Sequence, residues 1–99
     1  ISKKVEFGTK ALNILETAVQ FYPDERQLIE SVSAIKEFLT TERVAGYIEK
    51  AEKAVFKGNR KRALSYYRDA LFYLARENIR SGERDLIAEE INKKMRKLL

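Results

Sequence analysis

Apolar residues recur every three or four positions along almost the whole chain, which holds a single proline, Pro23. That spacing puts one apolar stripe on one face of a helix, and no stretch alternates long enough for a strand. Leu12, Leu15, Val19 and Tyr22 form a first stripe, and Leu28, Val32, Ile35 and Leu39 a second. Val44, Ile48, Ala51 and Val55 form a third, Ala63, Tyr67, Ala70 and Leu74 a fourth, and Ile87, Ile91, Met95 and Leu98 a fifth. Turn chemistry falls between them. Pro23-Asp24 ends the first helix, and Asp24 is placed to cap the second, with Gln27 three residues on. Thr40-Thr41 is read as the end of the second helix and the cap of the third. Gly58 suits the left-handed position after a helix, and Asn59 suits the next cap. Ser81-Gly82 is read as the last break. The spacing predicts five antiparallel helices, at about 4–22, 25–39, 42–57, 60–79 and 83–98, in an all-α fold with short loops.

The chain has 99 residues, enough for one domain. It contains no histidine, cysteine or tryptophan. Disulfides, thiolate nucleophiles, imidazole bases and Cys/His zinc sites are therefore excluded. Neighbouring acids such as Glu89-Glu90 point to different faces of a helix, and no phosphate-binding glycine loop is present. The reading is of a non-enzyme with no catalytic, cofactor-binding or metal-binding residues. No apolar run approaches the roughly 18 residues of a membrane span. A cytoplasmic protein is expected. Ile1 at the start, in place of Met, suits a processed or excised chain.

The formal charge of +5 is unevenly spread, with a net −1 over residues 1–40 and +6 over residues 41–99. Lys50, Lys53 and Lys57 share one helical face, and Arg60, Lys61 and Arg62 follow at once. This ridge suits an acidic peptide, a carboxylate or a phosphate. A second cluster, Lys93, Lys94, Arg96 and Lys97, ends the last helix, where cations also favour the helix dipole. Tyr66, Phe72 and Tyr73 lie off the stripe of the fourth helix and form a candidate aromatic surface.

A shift of 35 residues lays the second helix on the fourth, with Leu28 on Ala63, Val32 on Tyr67, Ile35 on Ala70 and Leu39 on Leu74. From Val44 to about Asn78 the chain resembles a tetratricopeptide repeat. Ala51, Ala63 and Ala70 match that family's small residues at the helix crossing. Tyr67 matches the aromatic position between the alanines, Tyr47 the large residue near the repeat start, and Gly58 the glycine of the turn. Lys50 stands where the family has leucine, and Arg60 where it has a turn tyrosine. The resemblance implies a TPR-like right-handed array. Residues 1–43 would be a degenerate hairpin, 44–79 the repeat hairpin and 80–99 a capping helix, all in one domain. It also implies binding through the inner face of the third helix, at Ile48, Glu52, Val55 and Phe56.

Val44–Leu99 is also similar to the microtubule-interacting-and-trafficking domain, a three-helix bundle. The run Ala63-Leu64-Ser65-Tyr66-Tyr67-Arg68-Asp69-Ala70-Leu71 looks like its second helix, and Ile91 to Leu98 like the end of its third.

The expected function is protein–protein interaction, with a peptide or helix of a partner protein held in a groove. The candidate contacts are Ile48, Glu52, Val55, Phe56, Lys50, Lys53, Lys57, Arg60, Lys61, Tyr66, Phe72 and Tyr73. The alternative partner is nucleic acid, bound by the basic C-terminal part. A homodimer seam at Tyr66, Phe72 and Tyr73 is a third expectation.

Overall fold

A computed structural model describes residues 3–76, 79 and 81–99. The chain is all-helical there, with no strand among the described residues. The described residues form four helices, α1 (Lys3–Phe21), α2 (Arg26–Phe56), α3 (Arg60–Arg76) and α4 (Ser81–Arg96). The expectation of five helices, and of a right-handed repeat array built from them, is thereby corrected. The predicted second and third helices are one helix of 31 residues.

The physical reason lies at Thr40-Thr41. Threonine in a helix interior costs less than about 1 kcal/mol relative to alanine, and neither glycine nor proline stands there to stop the helix. Threonine is accommodated inside helices elsewhere in this chain. In α1 the Thr9 and Thr17 hydroxyls donate to the carbonyls four residues earlier, Val5 and Asn13, at 2.8 and 3.0 Å. Thr40 is 3% exposed and occupies the inward position one turn before buried Val44. Burial rather than capping decides its conformation.

Two compact units divide the chain, residues 1–39 and 40–99. In the first, the Pro23 turn joins α1 to the opening turns of α2. The Glu25 carbonyl accepts the Ile29 N–H at 3.2 Å, so α2 starts at Arg26 and the expected cap, Asp24, lies in the turn. α1 has no fully buried residue. Its half-buried stripe is Val5, Ala11, Leu12, Leu15, Ala18 and Val19. Gly8 permits a close approach, since a Cβ there would lie 2.9 Å from the Leu39 side chain. Lys36 and Glu16 pair at 3.9 Å, in the open.

The second unit holds the main core. Val44, Ala51 and Ala54 come from α2, Ala63, Tyr67, Ala70 and Leu74 from α3, Ile79 from the connection, and Ile91 from α4. Four of these nine are alanines. Small side chains let helix backbones approach closely, and close packing then depends on their staying small.

The turn from α2 to α3 follows from its two residues. Gly58 has φ +79°, the left-handed region that glycine enters without a Cβ penalty. The Gly58 N–H donates to the Val55 carbonyl and the Asn59 N–H to the Ala54 carbonyl, both at 2.9 Å, the paired bonds of a Schellman cap. Asn59 then caps α3, its Oδ1 accepting the Arg62 N–H at 3.0 Å. The third connection differs from expectation, because Ser81 and Gly82 begin α4 rather than precede it. Of the predicted end of the preceding helix, residues 77 and 78 lie outside the described residues, and Ile79 is not helical.

Candidate partner-binding surface

Two grooves flank the second half of α2. The first, of about 360 Å³, lies against the opening turns of α3 and is lined by Lys50, Lys53, Ala54, Lys57, Asn59, Arg62 and Tyr66. The α2 residues recur at intervals of three and four, so they share one face. The Ala54 side chain is too short to fill the space between the longer residues around it.

Tyr66 organises this groove. The Lys50 ammonium lies 6.0 Å from its ring centre and the Arg62 guanidinium 5.7 Å, while Arg62 Nε donates to the Tyr66 hydroxyl at 3.3 Å. Lys50 also lies 5.8 Å from the Tyr47 ring. These two cations thus lie near aromatic rings, and neither pairs with a described carboxylate. Lys53 pairs with Glu49 at 3.4 Å, both side chains being largely exposed.

The second groove, also about 360 Å³, lies between α2 and the end of α4. Glu52, Val55, Phe56, Tyr67, Lys94, Lys97 and Leu98 line it. Phe56 is 93% exposed and Val55 40%, so this groove presents apolar surface to solvent. Lys94 reaches across it to Glu52 at 3.9 Å. The body of Tyr67 is buried in the core. Burial pushes its phenol above the usual tyrosine value, and the nearby Glu52 carboxylate adds to the rise.

The predicted residues therefore separate. Lys50, Lys53, Lys57 and Tyr66 meet in the first groove, and Glu52, Val55 and Phe56 in the second. Ile48 is half-buried and packs against the core. Arg60 and Lys61 are exposed and line neither groove. Tyr73 is engaged within the unit, where Arg43 Nη1 donates to its hydroxyl at 2.6 Å and Tyr47 lies 6.3 Å away, ring centre to ring centre. Phe72 is exposed, with the Arg76 guanidinium 5.4 Å from its ring centre.

Sequence reasoning did not place Lys94, Lys97 and Leu98 in a site. The last lysine cluster reads equally well as a charged helix end, and Leu98 as part of the core stripe. A separate apolar stripe also escaped it. Phe7, Ile14 and Phe21 recur every seven residues on α1 and are 66%, 70% and 75% exposed.

No group of acidic side chains among the described residues is arranged to hold a metal ion. No helix there is long and apolar enough to cross a membrane. No protein-family model, curated protein or solved structure matches the chain.

Proposed function

We propose that the chain is a non-catalytic interaction module whose second unit holds an amphipathic helix or peptide of a partner protein. The observation that carries this reading is the α2–α4 groove. There Val55, Phe56 and Leu98 offer an apolar seam, with Lys94 of α4 and Lys97 just after it alongside. An amphipathic helix lays its apolar face into such a groove, and basic residues at the rim favour acidic residues beside that face. The microtubule-interacting-and-trafficking resemblance points the same way. Its three-helix span, Val44–Leu99, falls within the compact unit of residues 40–99, to which α2, α3 and α4 all contribute core residues.

The test begins with selection of helical peptides against the immobilised chain. Phe56→Asp is then expected to weaken the selected peptide at least about tenfold, because an exposed aromatic anchor is replaced by a charge in an apolar seam. The melting curve should move only slightly, since Phe56 is almost wholly exposed and the added charge at the C-terminal end of α2 costs less than about 1 kcal/mol. Equal affinity of the wild type and Phe56→Asp for every selected peptide would refute the reading.

A further inference from the structure

We infer that the groove between α2 and the start of α3 is a second, electrostatic site that takes an acidic segment of the partner protein. This rests on the reading of the chain as a peptide-binding module. Four cations, Lys50, Lys53, Lys57 and Arg62, line the groove, and no carboxylate is among its lining residues. Lys53 is paired with Glu49 at the edge. Lys50, Lys57 and Arg62 make no ion pair with a described carboxylate, while Lys93 and Lys94 on α4 do, with Glu89, Glu90 and Glu52. Three cations without a described carboxylate partner thus meet in one groove.

The groove is also organised in advance. Tyr66 lies near both Lys50 and Arg62, and Arg62 is tied to the Tyr66 hydroxyl. Orienting the cations beforehand reduces the conformational entropy lost when an anion arrives. Two or three carboxylates of one short segment match this charge.

The same features argue against single-stranded nucleic acid. Base stacking needs an open aromatic face, and the aromatic ring of this groove already has two cations close to it. Glu49 and Glu52 also stand on either side of Lys50 in α2, where they would repel a phosphate backbone.

Fluorescence anisotropy with a labelled acidic peptide of alternating Asp and Glu tests this, using the whole chain at low salt. Saturable binding is expected, and Lys50→Glu/Arg62→Glu should weaken it more than about tenfold. Lys94→Glu/Lys97→Glu should change it less than about twofold, because those lysines lie on the other groove. The neutral pair Lys50→Gln/Arg62→Gln should give an intermediate loss, and it serves if the charge-reversed pair does not fold. A labelled oligo-dT of equal length should bind more weakly than the peptide. Absence of saturable binding would overturn the inference, as would equal losses from the two charge-reversed pairs. So would oligo-dT binding more tightly than the peptide with the same dependence on Lys50 and Arg62. A helical peptide that needs Phe56 should keep its affinity in Lys50→Gln/Arg62→Gln. Loss of the acidic site alone therefore leaves the reading of the α2–α4 groove standing, and loss of the Phe56-dependent peptide alone leaves the acidic site.

Discussion

Ile91→Ala is expected to destabilise the chain by about 2–5 kcal/mol, the range for truncating a large aliphatic side chain in a closed core. Ile91 is 0% exposed, and it is the α4 residue in the buried core cluster. Its loss removes both the transfer free energy of the missing carbons and the contacts of whatever lined them. Whole domains are stable by only about 5–15 kcal/mol, so this single change takes a large share. Leu86 on the same helix is 67% exposed, and Leu86→Ala should fall within about 0.5 kcal/mol of the wild type. Urea denaturation followed by circular dichroism checks both. A shifted midpoint with an unchanged slope for Ile91→Ala is the expected pattern. Similar midpoints for the two variants would show that α4 is not anchored through Ile91.

The second large effect comes from adding volume. Ala70→Leu is expected to cost about 1–3 kcal/mol, although leucine is nearly as good a helix former as alanine. Ala63 and Ala70 lie seven residues apart on one face of α3, and both are 0% exposed. Three extra carbons there must force the neighbouring helix away or take strained rotamers. Ala75, exposed on the same helix, provides the control, and Ala75→Leu should be close to neutral. If the alanines were present only for helix propensity, the two leucine variants would melt alike. The packing account requires them to differ.

The parts of this fold that were legible in the sequence are those whose causes are local. Gly58 and Asn59 end one helix and start the next through their own backbone freedom and side-chain oxygen, so the turn could be read from two letters. Ala51, Ala63, Tyr67, Ala70 and Leu74 fall on helical spacing and are all buried. Thr40-Thr41 was misread because a good cap residue also fits a helix interior once its surroundings bury it, and burial is a tertiary property. Ser81-Gly82, read as a break, open α4 instead of preceding it.

The site divides along the same line. The shared face of Lys50, Lys53 and Lys57 follows from their spacing. That Arg62 and Tyr66 come together also follows, since they are four apart on α3. Leu98 belongs to the apolar stripe of the last helix and Lys94 and Lys97 to its basic end, but which α2 residues they face is set by packing and not by local spacing.

Chemical-shift mapping with a peptide that needs Phe56 tests the central claim most directly. On titration into the isotope-labelled chain, the account predicts that the largest amide shifts gather at Val55, Phe56, Tyr67, Lys94 and Leu98. Largest shifts at the exposed α1 stripe of Phe7, Ile14 and Phe21, with the α2–α4 groove unmoved, would contradict it.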